Sequence, residues 1–122
     1  MKFLWTSLFV RDLDQSIRFY TTLVDLKVLR RFPAGPQREI VFLGNGIEGE
    51  TLVELLSEKG RTTSAPGQDF SIGFDVASLD VMLEKVKAYG IPVAGDLVET
   101  PAMRYFCVKD PDGLMVQFFQ QK

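Results

Sequence analysis

The 122-residue chain predicts an α+β fold of two tandem βαβββ modules paired into a single domain. Three observations carry this expectation. Strand-like segments of period two alternate with two short helical segments whose apolar residues recur every three or four positions. The pattern then restarts. A shift of 66 residues lays Val10 on Val76, Asp12-Leu13-Asp14 on Ser78-Leu79-Asp80 and Ile17 on Leu83, and a shift of 63 lays Val53-Glu54-Leu55 on Val116-Gln117-Phe118. Finally, Glu58 to Gln68 is the one stretch that reads as a linker, which puts module 1 at about residues 1–60 and module 2 at about 68–122. One short helix covers only one face of a small sheet, so neither half is expected to be stable alone.

The elements follow in order. Phe3 to Val10 is aromatic and β-branched and reads as a strand. Asp12 can cap a helix carrying Leu13, Ile17, Tyr20 and Val24, which should stop near Asp25. Lys27 to Arg31 is a short strand, Pro33-Ala34-Gly35-Pro36 a loop, Ile40 to Leu43 a strand, Gly44-Asn45-Gly46 with Gly49 a turn, and Thr51 to Ser57 a strand. In the second half, Phe70 to Val76 is a strand and Ser78 caps a helix bearing Leu79, Met82, Leu83 and Val86. Gly90 suits the helix stop, with Pro92 just beyond. Strand-like segments lie around Val93, Leu97-Val98, Tyr105 to Lys109 and Leu114 to Gln120, the last two joined by the turn Asp110-Pro111-Asp112-Gly113.

Composition excludes several classes. Fourteen Lys and Arg against sixteen Asp and Glu leave a net charge of −2, which predicts neither nucleic-acid nor membrane partners. No apolar run approaches the ~20 residues of a membrane span, Met1-Lys2-Phe3-Leu4 is too short for a signal peptide, and a single cysteine fits a reducing cytoplasm. The chain has no histidine. That removes Ser-His-Asp and Cys-His catalysis and imidazole ligation of metals.

The run Val10-Arg11-Asp12-Leu13-Asp14-Gln15-Ser16-Ile17-Arg18-Phe19-Tyr20, with the closing Phe106-Cys107-Val108-Lys109-Asp110-Pro111-Asp112-Gly113-Leu114-Met115-Val116-Gln117-Phe118, resembles the vicinal oxygen chelate superfamily. That group includes glyoxalase I, bleomycin-resistance proteins, fosfomycin-resistance enzymes and extradiol dioxygenases. The resemblance spans essentially the whole chain. It implies a curved mixed sheet around a concave cleft with the helices outside, and a homodimer. In metal-dependent members four positions line the cleft, and by resemblance they fall here on Trp5, Glu54, Ser71 and Gln117. Only Glu54 is a good ligand: indole cannot ligate, and Ser and Gln are weak neutral donors. The set leaves room for a loose, hydrated Mg²⁺ or Mn²⁺ at most. We therefore expect no cofactor and no metal.

Strand alternation assigns the faces. Leu4, Leu8 and Val10, with Thr6, should pack under the first helix, leaving Phe3, Trp5, Ser7 and Phe9 on the cleft side. Leu52, Glu54 and Leu56 join them, as do Ser71, Gly73 and Asp75, and Met115, Gln117 and Phe119 opposite Tyr105 and Cys107. The candidate ligand-binding residues are thus Trp5, Ser7, Phe9, Leu52, Glu54, Ser71, Tyr105, Gln117 and Phe119. Each has a plainer alternative. Trp5 can simply fill a closed interior. A half-buried Glu54 needs a partner, and Arg38 or Arg104 would make that pairing structural. Arg30-Arg31 followed by Phe32 could grip an anionic ligand, but two adjacent arginines on a strand point to opposite faces and read rather as a solvated pair. Cys107 reads as a small buried hydrophobe, and Gly44-Asn45-Gly46 as a turn rather than a phosphate loop.

Three functions fit these residues. The first is a metal-free protein that binds a flat, aromatic or cationic small molecule in the cleft. The second is a lyase or isomerase with Glu54 as general base, although few groups are present to polarise a substrate. The third is a non-catalytic module with a filled interior. The expectation favours binding over catalysis.

Overall fold

A computed structural model describes residues 1–64 and 69–122. The chain forms two compact units, Met1–Ser64 and Ala65–Lys122, each with the order βαβββ and each closing a four-stranded mixed sheet. Part of the expected linker, Ala65 to Gln68, lies outside the described residues. Its first residue, Glu58, instead ends a strand.

In the first unit the elements are β1 (Trp5–Phe9), α1 (Leu13–Arg18), β2 (Lys27–Pro33), β3 (Arg38–Gly44) and β4 (Leu52–Glu58). The sheet order is β1-β4-β3-β2, with β1 parallel to β4 and the other pairs antiparallel. Asp12 caps α1, its side chain accepting the Gln15 amide at 3.0 Å. The helix does not run regularly to Asp25. Phe19–Leu23 widens into a π-helical turn, in which the Val24 amide reaches back five residues to the Phe19 carbonyl. That turn buries Phe19, Tyr20 and Leu23, and Asp25 leaves it at φ 64°. Val10, Val41, Leu43, Val53 and Leu55 complete the buried face beneath it. Leu4, expected in this layer, is exposed, because β1 begins only at Trp5.

The second unit has β5 (Ser71–Asp75), α2 (Leu79–Tyr89), β6 (Val93–Glu99), β7 (Met103–Lys109) and β8 (Met115–Gln121) in the order β5-β8-β7-β6. Ser78 caps α2 by accepting the Val81 amide, and Gly90 ends it in the left-handed region at φ 91°. Leu79, Met82 and Val86 of α2 are buried, as are Phe106, Val108, Val116 and Phe118 of the sheet. Asp110 fastens the β7–β8 turn by accepting the amides of Asp112 and Leu114, each at 2.9 Å. The resulting register sets Tyr105 opposite Phe119, Cys107 opposite Gln117 and Lys109 opposite Met115.

Two irregularities break the outer strands. β6 shifts register between Ala94 and Val98. β2 shifts between Val28 and Arg30: Val28 pairs with Leu43 and Arg30 with Phe42, so Leu29 is the extra residue of a bulge.

Candidate functional site

Cross-strand partners project from the same side of a sheet, so the register builds the site face row by row. In the first unit one row runs Ser7, Glu54, Phe42, Arg30 across β1, β4, β3 and β2. The next row is Phe9, Leu56, Ile40, Phe32. Trp5 pairs with Leu52 on the other side of the central row. Trp5, Ser7, Phe9, Leu52 and Glu54, all expected on one face, therefore share it.

Glu54 is the chemical centre of that face. It is only 8% exposed, and its Oε1 accepts a 2.6 Å hydrogen bond from Ser7 Oγ. Neither structural cation considered for it is used. Arg38 pairs with Glu58 at 3.0 Å, and Arg104 pairs with Asp80 at 3.1 Å. A buried carboxylate satisfied by a single hydroxyl is energetically exposed, since removing a charge from water without a countercharge is costly. Trp5, 43% exposed, meets Phe42 edge-on with ring centroids 5.4 Å apart, so an aromatic wall stands beside Glu54.

Sequence reasoning placed neither Phe42 nor Arg61 on this face, and it weighed Arg30 and Phe32 only as an anion grip. Phe42 lies at the middle of the face, and Phe32 stacks on it at 6.2 Å. Arg30 lies over both rings, 4.9 Å from Phe32 and 5.9 Å from Phe42. Arg61 sits 3.5 Å from the centroid of Phe9, so the chain itself covers one face of that ring. Arg38 approaches Phe9 as well, at 5.6 Å. Glu58 lies between the two guanidinium groups, and Arg38 above all holds its carboxyl below the usual carboxylate range. Arg30 and Arg31 do point to opposite faces, and both remain exposed. Arg31 binds Glu39 at 2.7 Å and Asp14 at 3.4 Å, while Arg30 stacks on phenylalanines.

In the second unit Gly73, Gln117, Cys107 and Ala94 form the corresponding row, with Ser71 beside Met115 and Asp75 beside Phe119 and Tyr105. Ser71, Tyr105, Gln117 and Phe119 thus also share one face. Its central row is neutral. Burial pushes the Cys107 thiol above its ordinary range, which disfavours the reactive thiolate. The Gly44-Asn45-Gly46 turn is filled from within: Glu50 Oε1 accepts the amides of Asn45 and Gly46 at 2.7 and 2.9 Å.

Among the described residues no cluster of three or more His, Cys, Asp or Glu is placed to hold a metal. Trp5, Glu54, Ser71 and Gln117, the four positions to which the resemblance points, carry an indole, a carboxylate already bonded to Ser7, a hydroxyl and an amide. Among the described residues no helix is long and apolar enough to cross a membrane.

Comparison with known proteins follows the same lines. The family model described as Glyoxalase/Bleomycin resistance protein/Dioxygenase superfamily matches residues 2–118. A probable lactoylglutathione lyase of Vibrio parahaemolyticus is 32% identical, covering 99% of this chain and 91% of that protein. A lactoylglutathione lyase of Neisseria meningitidis is 31% identical over 100% of this chain and 92% of its own. Among solved structures, the trypanothione-dependent glyoxalase I of Leishmania major superposes with a TM-score of 0.84 at 29% identity, covering 98% of this chain and 86% of that one.

Proposed function

The chain belongs to the glyoxalase/bleomycin resistance protein/dioxygenase superfamily, and within it we propose that it is a binding protein for a flat, cationic small molecule, working without a transition metal. One observation carries the proposal. Glu54 is buried among aromatic side chains with a hydroxyl as its partner, while Arg38 and Arg104 are committed to other carboxylates. A ligand ammonium supplies the missing countercharge, and Trp5, which is 43% exposed, supplies a ring for it to lie against. A cation over an aromatic face gains about 0.5–2 kcal/mol, more as water leaves. Ser7 donates to Oε1 and so holds the carboxylate in one orientation.

The lyase activity in the names of the relatives is not part of this reading. In metal-dependent members of the superfamily the metal polarises the substrate, and the donors at the corresponding positions here do not fit a tight Zn, Ni or Fe site. With no histidine and one carboxylate, little is left to stabilise an enolate. Elemental analysis of protein purified without a tag is expected to find no stoichiometric transition metal. One equivalent of Zn, Ni or Fe per chain would overturn the metal-free reading.

The binding itself is testable through Trp5, the only tryptophan in the chain. Titration with aromatic amines should change its fluorescence saturably, while matched neutral aromatics should bind more weakly. A panel that leaves Trp5 fluorescence untouched favours the filled-interior alternative.

A further inference from the structure

The bulge in β2 determines which arginine faces Glu54. In an unbroken ladder continuing from Val28–Leu43, Leu29 would oppose Phe42 and Arg30 would oppose Val41, on the side covered by α1. A one-residue slip reverses every side chain of a strand. The extra Leu29 makes that slip, so Arg30 pairs with Phe42 and Arg31 with Val41. Arg31 then reaches Asp14 of α1, and Arg30 is delivered to the Glu54 face. Bulges commonly re-aim a side chain next to a site.

Arg30 arrives there without a carboxylate. Among the described residues its contacts are the rings of Phe32 and Phe42, whereas Arg31, Arg38, Arg61 and Arg104 all pair with Asp or Glu. Arg30 is exposed, and a guanidinium lying over aromatic rings keeps N–H donors that can bind a carboxylate bidentately. The central row therefore carries an anion, Glu54, and a cation, Arg30, flanking one phenylalanine. Their strands are two spacings apart, roughly 10 Å. Glu54 and Arg30 do not pair with each other.

We infer that the ligand of this face is an aromatic zwitterion, its ammonium at Glu54, its carboxylate at Arg30 and its ring spanning the distance between them. The inference deepens the binding reading and rests on Glu54 facing the ligand. Either pole alone admits many molecules. The two together select for a ring bearing opposite charges at its two ends, and Arg30 is the residue that sets this specificity.

Calorimetric titrations with four probes test it: para-aminomethylbenzoate, benzylamine, benzoate and benzyl alcohol. The zwitterion should bind about tenfold tighter than benzylamine, the size of one charge-assisted contact. Arg30→Gln should abolish that advantage and weaken benzoate, with benzylamine unchanged to within about twofold because the Glu54 pole is intact. Arg30→Lys should restore part of the advantage, which loss of packing alone would not allow. Glu54→Gln should instead weaken benzylamine and spare benzoate. A zwitterion advantage that survives Arg30→Gln, or is absent in the native protein, overturns the inference, as does failure of all four probes to bind. If benzylamine ignores Glu54→Gln while benzoate still depends on Arg30, the Glu54 reading fails and the anion site at Arg30 stands.

Discussion

Phe118→Ala is expected to lower the stability of the second unit by about 3–5 kcal/mol, the usual loss when a buried phenylalanine is truncated. Phe118 is fully buried, its ring packs 5.4 Å from that of Phe106, and its strand β8 pairs with both β5 and β7. Removing the ring leaves a cavity at the centre of the sheet, where neighbours held by three strands cannot collapse to fill it. Domains of this size retain only about 5–15 kcal/mol of net stability, so the variant should unfold at markedly lower denaturant. Chemical denaturation followed by circular dichroism measures the loss. Phe119→Ala provides the comparison: the neighbouring side chain points to the opposite, less buried face and should lose far less. Equal losses for the two would contradict the assignment of faces.

Most of the fold was legible in the sequence because periodicity reports local geometry and the repeat reports architecture. Asp12, Ser78 and Gly90 mark helix ends by hydrogen bonding and conformational preference, and the structure uses them so. The misses share a cause. The π-helical turn at Phe19–Leu23 is set by how Phe19, Tyr20 and Leu23 pack beneath the helix, which a period cannot express. The bulge at Leu29 is an insertion in a pairing, visible only once the partner strand is known. Because of it, the spacing of Arg30 and Arg31 said correctly that they part, but not which one would join Glu54. Arg61 lies in the stretch read as linker, and its contact with Phe9 depends on where the chain turns after β4.

The candidate site divides in the same way. Alternation grouped Trp5, Ser7, Phe9, Leu52 and Glu54 on one face, since they lie on two strands of obvious period. It identified Glu54 as a carboxylate needing a partner but left Arg38 and Arg104 as rivals to a ligand. Only the three-dimensional arrangement commits those arginines to Glu58 and Asp80. Phe42 was overlooked because it sits in an apolar run, Ile40 to Leu43, where residues of the two sheet faces look alike.

The second large effect concerns Glu54→Gln. The substitution keeps the shape and leaves a hydrogen-bonding side chain beside Ser7, so it removes the charge while disturbing the packing little. At a carboxylate only 8% exposed, a charge-assisted contact is worth about twice a neutral one, and losing it should weaken a cationic ligand by roughly tenfold or more. A neutral isostere has no such contact to lose. The decisive measurement is the ratio of affinities for benzylamine and benzyl alcohol, determined for the native protein and for Glu54→Gln. A strong preference for the amine in the native protein, collapsing to near parity in the variant, is the predicted result. A ratio unchanged by the substitution would contradict the assignment of Glu54 as the ligand's countercharge.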